Sequence, residues 1–356
     1  MKTTTLALAL LAAFVSTASA QSSVTVYGIV DVALVRESGA AAGSSNKVTS
    51  GVGTGSRLGF KGSEDLGGGL SAIFLLENGF QADTGALGQG GLLFGRQIFV
   101  GLQGGFGTVT LGRQYTSQYL TVAMADPFGS GYAGDTKNLM PATGNGVSRM
   151  DNTLKYVSPA WSGVTGELVY APGEVSGNDS AGRQFGGALG YAAGPLKVRL
   201  AYHNRNNETA LLTNLSSARN TVLGATYDFG VAKAHFAYGV NKGLNSSPLR
   251  NNSNPFGYTQ APVASVDSAD LMLGVTVPMG QHTVMASYIR KDDKSAFDQS
   301  ATQTAIGYRY ALSKRTDLYT AYARIDNKNG AGYTVGSSIE GGTGDAAFNL
   351  GIRHAF

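Results

Sequence analysis

Few residues of this chain could carry out covalent chemistry, and they are scattered. The 356 residues include no Cys, and the four His stand far apart, at positions 203, 235, 282 and 354. Thiolate metal sites, disulfides and cysteine nucleophiles are therefore excluded, and four scattered His residues do not suggest a histidine metal cluster. The Walker A, H-E-x-x-H and G-x-S-x-G motifs do not occur. We predict no catalytic residues, no metal and no cofactor.

One glycine pattern resembles a dinucleotide-binding fingerprint. Gly129, Gly131 and Gly134 have the spacing G-x-G-x-x-G. That fingerprint needs a strand before it and a helix after it, whereas this copy follows Asp126 and Pro127 inside a long loop without helical periodicity. We interpret these residues as loop glycines. The formal net charge of +4 is small and dispersed, which argues against nucleic-acid binding.

Charged side chains recur at alternate positions of short segments, opposite apolar ones. In one such segment Lys233 and His235 alternate with Ala234 and Phe236. The basic residues on the polar or small side are Arg57, Lys61, Lys155, Lys197, Arg199, Arg205, Lys233, Arg309 and Arg353. The acidic residues on that side are Asp31, Glu77, Asp151, Glu167 and Asp228. If these faces line a water-filled space, the basic excess attracts anions; the alternative is a solvated wall without preference. The orientations of Arg96 and of segment 316–326 stay undecided, because one bulge reverses them.

The elements that position these side chains are predicted to be strands, because alternation with period two is typical of strands with unlike faces. Short turns are predicted at 64–69, 104–107, 158–163, 193–195, 228–230, 278–281 and 312–315. Longer polar loops are predicted at 37–54, 83–93, 114–148, 173–182, 206–217, 243–265, 292–299 and 327–344. Seven turns and eight loops connect sixteen strands.

The second face of these strands is apolar rather than charged. Charged residues make up only 14% of the chain, against about 25% in an average soluble domain. An all-β transmembrane antiparallel barrel of sixteen strands explains this, since lipid-facing and lumen-facing residues alternate and closure leaves no free edge. An exported soluble β-sandwich or β-solenoid is the alternative.

The N-terminus has the pattern of a secretory signal peptide. Met1-Lys2 is followed by an apolar run at 6–15 and by Ala18-Ser19-Ala20, an A-x-A cleavage signal. We therefore predict a signal peptide over 1–20 and a single barrel domain over 21–356, exported from the cytoplasm. Alternating apolar residues continue to the terminal Phe356.

Several strings resemble the general porins of Gram-negative bacteria, of the β-proteobacterial type. Residues 23–31 (SVTVYGIVD) resemble the first strand of those porins, and residues 56–70 (SRLGFKGSEDLGGGL) resemble their second strand and first turn. Residues 96–102 (RQIFVGL) and 107–115 (GTVTLGRQY) are similar to their fourth and fifth strands. The string 154–159 (LKYVSP) and the closing Phe356 match as well.

The resemblance implies a homotrimer in the outer membrane, in contact with the lipid bilayer and lipopolysaccharide, through which small hydrophilic solutes and inorganic ions diffuse. It also implies that the third loop, 114–148, folds into the barrel and forms the constriction. In that interpretation the loop acids Asp126 and Asp135 face Arg57, Arg96 and Arg113, joined by Arg149 and Lys155. Phe356 resembles the signal that the barrel-insertion machinery reads.

Three other functions remain open at this stage. A substrate-specific channel on the same fold would carry an aromatic track along its lumen. An outer-membrane barrel enzyme would need a compact nucleophile or carboxylate group at the rim. A surface protein could use the barrel only as an anchor.

Overall fold

The computed structural model describes residues 23–141 and 148–356. The predicted signal peptide and part of loop 114–148 (residues 142–147) lie outside the described residues. The strands are β1 (Ser23–Ser38), β2 (Ser45–Ser50), β3 (Arg57–Gly67), β4 (Leu70–Gly79), β5 (Gln97–Gly104), β6 (Gly107–Tyr115), β7 (Arg149–Val157), β8 (Val164–Ala171), β9 (Gln184–Ala193), β10 (Leu196–Arg205), β11 (Ala218–Asp228), β12 (Lys233–Ser247), β13 (Ser265–Met279), β14 (His282–Asp293), β15 (Ala301–Ala311), β16 (Thr316–Asn327) and β17 (Ala346–Ala355).

These strands form one antiparallel sheet that closes on itself, because β17 pairs with β1, from Ile29 opposite Ala355 to Ser38 opposite Ala346. Strands β2 and β3 share one position in the barrel: β2 pairs with the second half of β1, and β3 pairs with its first half. The seventeen strands therefore fill sixteen positions, and the predicted sixteen-stranded barrel is confirmed. Segment 37–54, predicted as a single loop, instead contains β2.

Side chains alternate across this wall as the sequence indicated. In β15, Gln303 and Ala305 are buried inside the barrel, whereas Ile306 and Tyr308 are exposed outside. Apolar outer positions match lipid, since every second residue of a barrel strand faces the bilayer. The structure fixes the orientation of β16, which alternation left undecided. Its odd-numbered residues, such as Tyr319, are buried, and its even-numbered ones face outward.

The connections alternate between short turns at one end of the barrel and long loops at the other. The third loop contains α1 (Ser117–Ala125). Thr116 caps its N-terminus, because the Thr116 Oγ1 accepts a hydrogen bond from the Tyr119 N–H (3.0 Å). Within residues 23–141 and 148–356, no helix is both long and apolar enough to cross a membrane.

The third loop runs through the inside of the barrel. Helix α1 lies against the inner faces of β10 and β11, and His235 Nδ1 of β12 bonds the Ala125 carbonyl oxygen (2.9 Å). Further along, Phe128 packs against Gly307, where an added Cβ would lie 2.6 Å from its ring. The Tyr132 N–H then donates to the carbonyl oxygen of Val52, between β2 and β3 (2.6 Å). The loop thus follows the wall for about half the circumference.

Candidate pore constriction

Three arginines meet on the wall at the start of the third loop, where the ring of Tyr119 in α1 stacks on the ring of Tyr115 (4.8 Å between centroids). Arg57 begins β3, Arg149 begins β7, and Arg96 directly precedes β5. The hydroxyl oxygen of Tyr115, at the end of β6, accepts hydrogen bonds from Nη2 of Arg96 and Nη2 of Arg149, both at 2.8 Å. The Arg149 guanidinium also lies over the Tyr115 ring, 4.5 Å from its centroid. Arg96, whose orientation the sequence left undecided, thus joins the other two arginines.

One carboxylate, that of Glu77, balances part of this charge. Its Oε1 lies 2.7 Å from Arg96 Nε, and its Oε2 lies 3.7 Å from Arg57 Nη1. Tyr27 donates its hydroxyl proton to the same Oε2 (2.8 Å). Within the described part of the chain, Arg149 forms no ion pair. Three guanidinium groups and one carboxylate therefore leave a positive excess. We call Arg57, Arg96 and Arg149 the arginine cluster.

Lys61 extends the positive wall below the arginine cluster. It lies two positions beyond Gly59 on the same face of β3 as Arg57, and its Nζ is 5.5 Å from the centroid of the Tyr27 ring. The predicted inward orientation of Arg57 and Lys61 agrees with this geometry.

Lys155 belongs to a second group, which attaches α1 to the wall. Its Nζ lies 3.2 Å from the Oε1 of Glu167, whose Oε2 lies 2.9 Å from Arg199 Nη2. The loop supplies the remaining contacts: Ser117 donates to Glu167 (2.5 Å), and Arg199 Nε donates to Thr121 Oγ1 (3.0 Å). The inward orientation predicted for Lys155, Glu167 and Arg199 is thus consistent with the structure.

The prediction that Arg113 faces the constriction is wrong. Arg113 stands opposite Ile98 in the β5–β6 ladder and borders an outer groove together with Leu111. It forms an ion pair with Asp151, whose side chain is 65% exposed. The ladder is irregular between Gly112 and Gln114 where it meets β7, so Asp151 also leaves the predicted lumen side. The bulge thus reverses the orientation of Asp151, whereas Arg113 keeps the regular outward alternation of Leu111.

The prediction for the loop acids is also wrong. Asp126 is buried, and its carboxylate accepts backbone hydrogen bonds from Phe128 (2.8 Å), Ser130 (3.0 Å) and Thr136 (3.0 Å). Burial, followed by the nearby Asp135, raises the pKa of Asp126 to about 7. This carboxylate shapes the loop and does not face the arginine cluster.

Asp135 is fully buried as well and pairs within the loops. Its Oδ2 lies 3.2 Å from Lys137 Nζ and 3.5 Å from Arg250 Nη1. Burial lowers the pKa of Lys137 and of Arg250. The three side chains join the third loop to the segment between β12 and β13, and Arg250 also donates to the carbonyl oxygen of Ser337 (2.7 Å).

The other predicted wall residues keep the inward orientation. Asp31 accepts a hydrogen bond from the Tyr319 hydroxyl (2.6 Å), and Arg353 Nη2 lies 2.5 Å from Asp317 Oδ2. The residues Lys197, Arg205, Lys233, Asp228 and Arg309 share the alternation of their buried strand neighbours.

Sequence reasoning missed three contributors to the lumen. Tyr115 ends the string 107–115 that carries the family resemblance, and nothing in the sequence assigns it a place in the lumen. Lys291 and Asp270 form a fully buried ion pair (2.6 Å) on adjacent strands, directly opposite each other. Because β13 and β14 are joined by a two-residue turn, counting back from that turn could have found the pair. Within the described residues, no group of His, Asp and Glu side chains is arranged to hold a metal ion.

A closed barrel with an apolar outside, a charged inside and a loop folded into it defines the class of outer-membrane diffusion channels. The chain belongs to the Gram-negative porin family, whose model matches residues 7–330. It is therefore an outer-membrane channel for passive diffusion. Family and fold point to a channel rather than to an enzyme.

Individual relatives cover the chain from end to end. It is 35% identical over 376 residues to outer membrane porin protein 32 of Delftia acidovorans, and 33% identical over 405 residues to an outer membrane porin of Bordetella pertussis, with 100% of both chains covered in each case. The solved structure of an anion-selective porin from Comamonas acidovorans has a TM-score of 0.78 at 31% identity, covering 94% of this chain and 100% of that one. Salmonella typhi OmpF (TM-score 0.70, 17% identity, 94% and 97% covered) shares the fold.

Proposed function

We propose that this porin is a general diffusion channel that prefers anions, and that the arginine cluster sets the preference. The observation that carries the proposal is the charge imbalance in the arginine cluster: Arg96 and Arg149 share the Tyr115 hydroxyl, and the one carboxylate, Glu77, contacts only Arg57 and Arg96. Fixed cations on a narrow wall raise the local concentration of anions and lower that of cations.

The third loop supports this preference because it adds no free negative charge. It has two carboxylates. That of Asp126 accepts hydrogen bonds from backbone N–H groups, and that of Asp135 forms ion pairs with Lys137 and Arg250. Residues 114–148 contain no other acid. The basic wall residues Lys197 and Arg309 continue the positive surface outside the cluster, whereas Arg353 is neutralised by Asp317. The name of the Comamonas acidovorans relative, an anion-selective porin, points in the same direction.

Transport requires no chemistry in this proposal, and the chain is not an enzyme. Solutes below the size limit follow their gradients and are filtered by pore width and charge. The test is a planar-bilayer measurement in a KCl gradient. The expected reversal potential has the sign of chloride preference, and conductance rises with concentration without saturating. Cation preference would contradict the proposal. Saturation by one solute would favour the substrate-specific channel instead.

Assembly and export complete the proposal. We expect a homotrimer in contact with lipopolysaccharide, delivered by a signal peptide over 1–20 and inserted by the barrel-insertion machinery through Phe356. The terminal Phe356 exchanges backbone hydrogen bonds with Gly28 (3.1 Å each), which joins the end of the chain to β1. The unboiled protein should migrate as a heat-modifiable oligomer in SDS, and a monomeric mass in mild detergent would contradict the trimer.

A further inference from the structure

Glycine occupies the inner face of the barrel at three positions that the third loop covers: Gly224 of β11, Gly274 of β13 and Gly307 of β15. A Cβ added at Gly224 would lie 3.0 Å from the Thr121 carbonyl oxygen of α1, and one added at Gly274 would lie 2.7 Å from Pro127 Cγ. One added at Gly307 would lie 2.6 Å from Phe128 Cε1. Glycine within a strand often marks such a close approach by another segment of the chain. We call these three glycines the loop seat.

The side chains that rest on the loop seat have no room to turn away from the wall. The Phe128 ring lies between two glycines: its Cε1 faces Gly307 of the wall, and its Cε2 faces Gly134 of the loop, where an added Cβ would lie 2.6 Å away. Pro127 is closed onto its own backbone, and the carboxylate of Asp126 accepts three backbone hydrogen bonds from the segment that follows it. This part of the third loop is therefore rigid, and a displacement of one residue carries its neighbours with it.

The wall around Gly307 is held firmly as well. Gly307 stands opposite Met285 of β14 and Ala321 of β16, so that ladders of backbone hydrogen bonds fix it on both sides. Closely packed protein interiors transmit strain rather than absorb it. A methyl group at position 307 needs about 0.8 Å more space to reach an ordinary contact distance of about 3.4 Å from the Phe128 ring. That space is available on the lumen side, so the third loop must move away from the wall and narrow the pore.

We propose that the loop seat sets the size limit of the channel. The third loop supplies the constriction, but the three wall glycines determine how far it projects, because they let it lie directly against the wall. The inference rests on the proposed diffusion channel, in which pore width filters solutes. It does not depend on the ion preference of that channel.

The test measures the swelling of proteoliposomes that contain the full barrel, in arabinose, glucose and sucrose. These sugars are neutral, so their uptake reports pore width without the field of the charged wall. In the variant Gly307→Ala, uptake of the largest sugar that the parent admits should fall by about twofold or more relative to arabinose, since pore diameter controls selection by size. The matched control is Gly166→Ala in β8, where an added Cβ would lie 3.7 Å from Ser158 Oγ, an ordinary contact. It should keep the uptake ratio of the parent.

A double variant separates pore width from general damage to the barrel. Phe128→Leu removes the ring atoms that the new methyl group at position 307 meets, so Gly307→Ala with Phe128→Leu should restore the uptake ratio of the parent. If Gly307→Ala does not insert into the membrane, Gly224→Ala decides the question. Its contact of 3.0 Å is less severe, and it should lower the ratio by a smaller amount.

Three results would overturn the proposal. They are an inserted Gly307→Ala or, failing that, Gly224→Ala with the uptake ratio of the parent, a rise in the uptake of large sugars, and a double variant that shows no recovery. The reversal potential of the parent in a KCl gradient is a separate measurement. Cation preference there would contradict the proposed function and would leave the result with neutral sugars unchanged.

Discussion

The double variant R57Q/R149Q should lose most of the anion preference. These two arginines are chosen because Arg96 is buried and neutralises Glu77, so its removal would mix electrostatics with stability. In R57Q/R149Q, Glu77 keeps both Arg96 and Tyr27. The pore wall then changes by two charges without an orphaned carboxylate.

The magnitude follows from Coulomb's law with screening. At about 8 Å and an effective dielectric constant of about 20, one arginine attracts a permeating anion by about 2 kcal/mol. Screening at physiological salt, with a Debye length of about 8 Å, reduces this to roughly 0.75 kcal/mol. Two arginines then contribute about 1.5 kcal/mol, which corresponds to about a tenfold change in the local concentration of anions.

The assay is the reversal potential across a planar bilayer in KCl gradients. Because the same charges repel potassium as strongly as they attract chloride, the ratio of chloride to potassium permeability should fall by up to about a hundredfold near 0.15 M salt, and by only about threefold near 1 M, where the Debye length is about 3 Å. The control variant R290Q/R324Q removes two exposed arginines from the outer face and should leave the potential unchanged. An unchanged potential in R57Q/R149Q at low salt would refute the assignment. A shift of the reversal potential that persists at 1 M salt would also refute it, because such a shift would have a steric and not an electrostatic cause.

Three further predictions concern stability and assembly. Lys291→Met should destabilise the barrel to urea by about 3–5 kcal/mol, because it leaves the buried Asp270 carboxylate uncompensated, and adding Asp270→Asn should restore at least half of that loss. The pKa of about 7 at Asp126 lies above its unfolded value, so the stability it contributes should fall, by up to about 4 kcal/mol, as pH rises from about 4 through about 7. Urea unfolding of Asp126→Asn should show a flatter pH dependence, and an unchanged dependence would argue against this origin. Deleting Phe356 removes the backbone hydrogen bonds to Gly28 and should lower the yield in outer-membrane fractions, whereas parent-like yield would contradict its role in insertion.

The barrel could be predicted from the sequence because the alternation of polar and apolar residues in each strand indicates which face is inside. The inward orientation of residues such as Arg199 and Lys233 is predicted directly by alternation with apolar neighbours, and β10 and β12 show the same alternation of burial. The number of strands follows from the spacing of turns and loops.

What alternation cannot supply is the position of an irregularity. Asp151 was misplaced because the β6–β7 ladder shifts between Gly112 and Gln114. Arg113, which only the family resemblance assigned to the constriction, keeps the regular outward alternation of Leu111.

The conformation of the constriction loop was harder to predict, because the loop has no periodic pattern that indicates where its side chains point. The family resemblance suggested acids facing arginines, whereas Asp126 and Asp135 turn into the loop. The sequence does contain a signal for the inward turn of Asp126. In a segment such as Asp126-Pro127-Phe128-Gly129, the Asp side chain typically accepts a hydrogen bond from the backbone N–H two residues later. Tyr115 could not be found in this way, since its contacts with Arg96 and Arg149 depend on three separate strands meeting.

The inward burial of the two loop acids has a consequence for dipolar solutes. A pore with carboxylates facing arginines imposes a transverse field that aligns a zwitterion as it passes. Here the wall at Arg57, Arg96 and Arg149 has no such counterpart on the loop, because Asp126 and Asp135 are occupied elsewhere. The two ends of a zwitterion then experience opposite and nearly cancelling forces. We expect this channel to rank solutes of equal size by net charge, with dicarboxylates ahead of monocarboxylates and amino acids gaining little from their dipole.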